Sequence, residues 1–260
     1  MAGEPKIVTK LGKAESDRIL VRDHDLIKEL LGKITFSQMT FLMLAGHLPN
    51  PGETRMIDAL LTVLVEHGMN ASVIAARLTY STAPESIQGA VAAAIVGAGS
   101  VHLGSSEWSA RMLCEALPQG MRDADLDTIA ASVVERHVKE GKRIAGIGHR
   151  IHPEGDPRSG KLFEIARETE IYGRYCELLQ KISQVAGNEF QRKLPVNVTG
   201  AIAAVALDMG LPWQMTKTFA LVGRTLGVMA HIGEEIQNPM SPGINAAIRA
   251  SLAYETNAKS

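Results

Sequence analysis

The stretch GIGHRIHPEGDPR, from Gly146 to Arg158, gathers two imidazoles, acidic and basic neighbours and several flexible glycines. Its Gly and Pro content is too turn-rich for a helix interior. Two more histidines sit at similar breaks: His67 in VEHGMN and His102 in GAGSVHLGSS. At helix ends and glycine-bordered turns, side chains and backbone N–H groups can converge on a ligand, so His67, His102 and His149 together mark a site. Arg150 and Arg158 flank His149, and Arg224 lies in LVGRTLGVMAH. Arginine offers a planar fork matched to carboxylate oxygens, which points to a pocket for a polycarboxylate. On a helix, Arg224 equally suits pairing with an acid at the core edge.

Other chemistries lack their residues. There is no HExxH or comparable grouping of carboxylates or cysteines with these histidines, so no metal site is expected. Gly146 and Gly148 are followed by Ile151 and preceded by no strand pattern, so the dinucleotide fingerprint is missing, and GSS beside His102 is not a GxSxG elbow. Cys114 and Cys176 stand in helix-like stretches without CxxC spacing and read as reduced core residues.

The elements that must position these groups read as helices. Apolar residues recur at helical spacing through Ile57, Leu60, Leu61, Leu64 and Val65, through Leu126, Ile129, Val133 and Val134, and through Phe219, Val222, Leu226 and Met229. No alternating strand is evident. Gly68, Gly141 and Gly210 follow periodic runs as helix-terminal glycines do, and Pro84 with Glu85 suggests a first turn. QGAVAAAIVGAG and VTGAIAAVALDMG are rich in small residues that permit close helix-to-helix approach. Loops are expected at 46–53, 97–106 and 142–160, and a helical run from Lys161 towards Ala186. The fold class is therefore all-α. Residues 1–104 and 198–260 are expected to form a discontinuous large helical domain, with a smaller helical domain, 105–197, inserted in it.

The chain has 260 residues, 45% of them hydrophobic, enough for a substantial core. Its formal net charge is -1 and it has no run of like charge, which disfavours nucleic acid or a membrane surface as partner. MAGEPKIVTK has no apolar signal core, and the longest apolar run, near Ala90 to Gly97, falls far short of the ~20 residues that span a bilayer. A cytoplasmic protein acting on small molecules is expected.

With these residues in view, the chain resembles the citrate synthase superfamily, and within it the short citryl-CoA lyases similar to the C-terminal part of ATP-citrate lyase. EHGMNAS with AARL, GSVHLGSSE and GIGHRIHPEGDPR resemble the family's three histidine loops, in order, between about His67 and Ile236. The resemblance implies that His67 binds the oxaloacetate portion of the substrate, with Arg158 and Arg224 on its carboxylates. His102 would polarise the thioester carbonyl, and His149 would donate to, or abstract from, the oxygen at the carbon being joined. Negative charge develops on two oxygens when an acetyl-CoA methyl carbon and a keto carbon join or part, so two positioned donors suit the chemistry. The loop carrying Arg143, Gly146 and Gly148 would pass near coenzyme A, with Lys142 and Arg143 towards its phosphates. Coenzyme A would enter as part of the substrate, with no tightly bound cofactor, and a homodimer or higher homo-oligomer is implied. His152 has no matching family role and reads as a surface turn residue.

Three departures stand out. The family's NVD aspartate, the base for the methyl proton, is aligned with Thr199, and a positioned general base is typically worth ~10²–10⁴-fold in rate. The second loop carries Leu103 in place of a glycine, and the family's later Arg-Pro segment reads Asn238-Pro239. These favour a lyase that cleaves citryl-CoA or a related 3-hydroxyacyl-CoA to acetyl-CoA and a keto acid. The alternatives are citrate synthase-like condensation and a non-catalytic CoA-binding paralogue.

Overall fold

The computed structural model describes residues 8–99, 105–118, 121, 123–149 and 152–254. Helices dominate it, as expected, and no described helix is long and apolar enough to cross a membrane. The chain divides into two compact units, Met1–Thr62 with Ser105–Thr218, and Val63–Gly104 with Phe219–Ser260.

The first unit opens with a feature absent from the expectation. Strands β1 (Gly12–Ala14), β2 (Ile19–Val21) and β3 (His24–Asp25) form a small antiparallel sheet in that order. Strands of two or three residues are too short to show alternation. The turn between β2 and β3 is built by Arg22 and Asp23 at φ 48° and 66°, without a glycine to announce it. Arg22 Nη2 then donates to the Met43 carbonyl at 2.6 Å, fastening the sheet to helix α1 (Phe36–Ala45).

Helix starts follow their caps. Thr35 and Gln38 form a reciprocal capping box for α1, and Asn50 and Glu53 exchange similar bonds at the start of α2 (Pro51–Thr62). Asp125 caps α6 (Leu126–Lys139), and Asp156 caps α7 (Pro157–Glu168) with proline at its first position. Caps with a following proline explain why α2 and α7 begin inside segments expected to be loop. The helical run expected from Lys161 is two helices, α7 and α8 (Arg174–Glu189), separated by a turn with Glu170 at φ 60°.

Helix α9 (Val198–Asp208) is the axis of this unit. Val198 and every residue from Gly200 to Leu207 are buried, because α9 packs against α5 (Ser105–Ala116), α7 and α8 together. Its Ala and Gly content keeps the backbones close, and a Cβ on Gly200 would run into the backbone of Gly146. Packing on three helices groups α9 with 105–197, and α2 packs on α7.

The C-terminal end of α9 also starts α8. Gly173, the N-cap residue of α8, has no side chain to cap with, so Asp208 accepts from the N–H groups of Gly173 (2.9 Å), Tyr175 (3.0 Å) and Cys176 (3.0 Å). Burial is the largest influence on the Asp208 carboxyl and pushes it above the usual aspartate range despite these donors.

The second unit contains α3 (Ala71–Thr82), α4 (Ile87–Val96), most of α10 (Lys217–Gln237) and α11 (Ser241–Ser251). Ala76, Ala90, Ala94, Val228 and Ile232 form its core. Ser86 caps α4, so Pro84 and Glu85 occupy the preceding turn and are not the first helical turn expected. Leu226 and Met229, which continue the helical apolar spacing of α10, are exposed. Buried Arg77 bonds Glu235 (2.7 Å), Glu234 (2.8 Å) and the Asn238 carbonyl (3.0 Å), while Glu235 accepts from the Met240 and Ser241 amides. The Asn238-Pro239 segment is thus held by an internal ion pair.

Replacing Asp208 by alanine leaves three α8 amides without their acceptor. A loss of about 1–3 kcal/mol is expected, read as a lower denaturation midpoint at unchanged m-value in chemical unfolding.

Candidate active site

The loop that opens with Gly146 is pinned by main chain. Asn197 N donates to the Gly146 carbonyl (3.0 Å), Gly148 N to the Pro195 carbonyl (2.7 Å), and Ile147 pairs with Val196 as an antiparallel bridge. Gly146 and Gly148 have φ 87° and 75°, in the left-handed region that glycine enters without strain. A Cβ at Gly146 would strike Ser109 Oγ as well as Gly200. These two glycines therefore serve close packing and chain reversal. Asn197 Nδ2 adds a bond to the Gly148 carbonyl at 2.9 Å, and Asn197 Oδ1 caps α9 through Gly200 N.

This pinned loop delivers His149 to the start of α7. Asp156 lies there, buried, with its carboxylate taking Arg158 Nε on Oδ1 (3.0 Å), and Arg158 Nη2 (3.0 Å) and Val198 N (2.9 Å) on Oδ2. Its Oδ1 also accepts Arg158 N as the α7 cap, at 3.1 Å. His149 Nε2 is 3.9 Å from Asp156 Oδ2 and 3.5 Å from Arg158 Nη2. The side chains of His149 and Arg158 keep 19% and 21% of their surface exposed, while that of Asp156 keeps 0%, so the first two can meet a ligand and the third holds them in place. Burial alone would raise the Asp156 carboxyl, but the Arg158 guanidinium and the Val198 N–H outweigh it and hold it below the usual aspartate range.

Thr199 occupies the first turn of α9. Its hydroxyl donates to Asn197 Oδ1 (2.7 Å) and accepts from Ser105 Oγ (2.8 Å), tying the starts of α9 and α5 together. The hydroxyl does not ionise near neutrality, and its donated and accepted bonds make it a tether between the two helix starts.

The remaining expected residues fall elsewhere. Arg143 is exposed, beside the surface pair Lys142–Glu140. His102 lies outside the described residues, as do Leu103 and Arg150. His67 and Arg224 belong to the second unit. His67 is exposed in the turn before α3, where Glu66 accepts from Gly68 N and from His231 Nε2 (2.9 Å), and Asn70 Nδ2 donates to the Gly68 carbonyl (3.1 Å). Arg224 is buried on α10. Among the described residues no three His, Cys, Asp or Glu side chains gather as a metal site would require.

Asp156, Asn197 and Ser105 had not been singled out in the sequence. Asp156 carried a legible signal, an Asp-Pro pair that both caps a helix and flanks an arginine. The partners of Asn197 and Ser105 depend on contacts nearly 50 and 94 residues apart and left no local trace. His152, read as a surface turn residue, is half-buried, with its ring 4.8 Å from that of His149.

The family model for the citrate synthase C-terminal domain matches residues 5–250. The chain belongs to the citrate synthase family. It is 28% identical to citrate synthase 2 of Bacillus subtilis over 198 residues, which are 75% of this chain and 50% of that protein. The chain thus spans about half the length of the curated relatives it matches. The structure of citryl-CoA lyase from Hydrogenobacter thermophilus superposes with TM-score 0.86 at 31% identity, covering 98% of this chain and 96% of that one. ATP citrate lyase of Methanosaeta concilii, solved in complex with (3S)-citryl-CoA, shares the fold, with TM-score 0.73 at 17% identity over 100% of this chain and 43% of that one.

Asp156 links this site to acid stability. Its folded pKa lies below the unfolded value, so its contribution is fully present above the unfolded value and disappears as pH falls through the folded one. Stability should therefore decline below roughly pH 4. Asp156→Asn, which loses the charge, should be less stable at neutral pH and show a shallower decline on acidification, measured by denaturant midpoints across pH.

Proposed function

We propose that this protein is a carbon–carbon lyase that cleaves citryl-CoA, or a related 3-hydroxyacyl-CoA, to acetyl-CoA and a keto acid such as oxaloacetate. The observation that carries the reading is the likeness to the citryl-CoA lyase structure, with TM-score 0.86 at 31% identity over 98% of this chain. Cleavage breaks the bond between the thioester's α-carbon and the hydroxyl-bearing carbon. The bonding pair moves towards the thioester carbonyl, the hydroxyl proton leaves, and the α-carbon takes up a proton to become the acetyl methyl, so atoms and charge balance.

Arg158 has two of its five N–H donors on Asp156, and the others suit a substrate carboxylate. His149, one-fifth exposed beside it, would address the oxygen of the carbon that becomes the keto group. His67 and Arg224 would complete the carboxylate binding, and His102 would polarise the thioester carbonyl. Coenzyme A enters as part of the substrate, near Arg143, Gly146 and Gly148, with no tightly bound cofactor. The proposed setting is a cytoplasmic homodimer or larger homo-oligomer.

Condensation of acetyl-CoA with a keto acid is the second reading, favoured by the citrate synthase relatives. It runs through the same enolate as cleavage in the opposite direction, so it needs a base where cleavage needs an acid, and the tethered Thr199 hydroxyl is not an ionisable group for either. A CoA-binding paralogue without turnover is the remaining alternative.

Oxaloacetate release from citryl-CoA, followed through NADH oxidation by added malate dehydrogenase, tests the proposal. Turnover is expected, with kcat reduced at least ~10²-fold in His149→Ala and KM raised at least ~10-fold in Arg158→Ala, as loss of a charge-assisted carboxylate contact of about 1.5–3 kcal/mol requires. No oxaloacetate from the wild type or from Thr199→Asp, with CoA release from acetyl-CoA and oxaloacetate, would replace the lyase by the condensing enzyme.

A further inference from the structure

The segment that carries His67, between the end of α2 at Thr62 and the start of α3 at Ala71, has no regular secondary structure, so side chains must hold it. On its C-terminal side the anchor is Asn70, which caps α3 through Ser72 N (3.1 Å) and Val73 N (3.3 Å) and donates to the Gly68 carbonyl (3.1 Å). On its N-terminal side the anchor is α10. Gly227 lies so close to Val65 that a Cβ there would run into the Val65 carbonyl oxygen. Glycine is unfavourable inside a helix, and this close approach accounts for its place in the middle of α10. One turn further along, His231 Nε2 donates to Glu66 Oε2 at 2.9 Å, while Glu66 Oε1 takes the Gly68 N–H.

An isolated surface ion pair would carry little. Here the imidazole keeps only 14% of its side-chain surface exposed, and the backbone contact at Gly227 lies beside it. Glu234, also on α10, is 3.6 Å from His231 Nδ1, and its Oε2 accepts from Arg77 at 2.8 Å, so the hydrogen bond of His231 goes to Glu66. Burial would raise the Glu66 carboxyl, but the Gly68 N–H and His231 outweigh it and hold it below the usual glutamate range, which keeps it an acceptor. Arg224, Gly227 and His231 stand at i, i+3 and i+7, on one stripe of α10. The helix that bears Arg224 is thus also the seat of the His67 turn.

We propose that Gly227 and His231 are positioning residues that fix the His67 turn on α10, and so set His67 relative to Arg224 as one subsite for the carboxylate end of the substrate. This rests on the reading of His67 and Arg224 as carboxylate-binding groups. Gly227 acts through Val65, and His231 through Glu66. A turn held in advance spares the cost of ordering His67 when substrate binds, so the effect falls on KM and not on kcat.

The test joins citryl-CoA kinetics to the ¹H–¹⁵N spectrum of the substrate-free protein, the His67 ring signals being those lost in His67→Gln. In His231→Ala, KM should rise about 10-fold with kcat within about 3-fold of wild type, and the His67 signals should shift. His231→Gln, whose amide can donate to Glu66, should restore both. Gly227→Ala should shift the same signals and raise KM at least as far. Glu66→Ala removes a half-exposed side chain and tests the contact from its other end: KM should rise, and adding His231→Ala should raise it no further. Unmoved His67 signals, an unchanged KM, a loss confined to kcat, or additive effects in the double variant would each overturn the proposal. Because the spectrum is read without substrate, shifted His67 signals in variants of a protein that does not cleave citryl-CoA would sink the lyase reading and leave the anchoring of His67 standing.

Discussion

The carboxylate of Asp156 is the interaction on which the first unit's functional face depends. One buried group caps α7, receives both the Nε and the Nη2 of Arg158, and accepts the first amide of α9. Two helix starts and a guanidinium are thereby referred to a single point. A buried charge is tolerable only when its hydrogen bonds are satisfied, and here four donors satisfy it. The same satisfaction fixes how Arg158 sits on Asp156. It also explains why one-fifth-exposed Arg158 can keep a fixed orientation when most surface arginines do not.

Around that anchor, the packing of α9 sets how closely everything else can approach. Its nearly unbroken run of Ala and Gly lets α5, α7 and α8 meet on one helix. Gly200 and Gly146 touch backbone to backbone, which presses the His149 loop onto the start of α9. The hydroxyl chain from Ser105 through Thr199 to Asn197 closes the same junction on its other side. Thr199 thereby serves as a cross-link between two helix starts. Cleavage and condensation pass through the same enolate, so the group that removes the methyl proton in one direction must return it in the other.

Much of this was legible beforehand, but unevenly. The helical class, the clustering of histidines at breaks and the family itself followed from periodicity, turn residues and motif order. Helix starts are obscured where a capping Asn or Asp precedes proline, as at Pro51 and Pro157, because glycine and proline nearby read as loop. The three-stranded sheet escaped because its strands are shorter than any alternation can reveal. His152 reads locally as a surface turn residue, since nothing nearby in sequence shows that its N–H reaches the ring three residues earlier.

The sequence by itself determined which groups exist and the order in which they occur: histidines in turns, arginines suited to carboxylates, a threonine following Asn197 and Val198, and small residues along α9. These follow from side-chain chemistry and from periods of a few residues, which are local quantities. The tertiary structure alone decided which donor meets which acceptor. Asp156 finds Val198 across 42 residues, Ser105 finds Thr199 across 94, and Asp208 starts a helix that precedes it in the chain. Such pairings depend on helices being brought together by burial of a shared apolar surface, and no spacing along one segment encodes them.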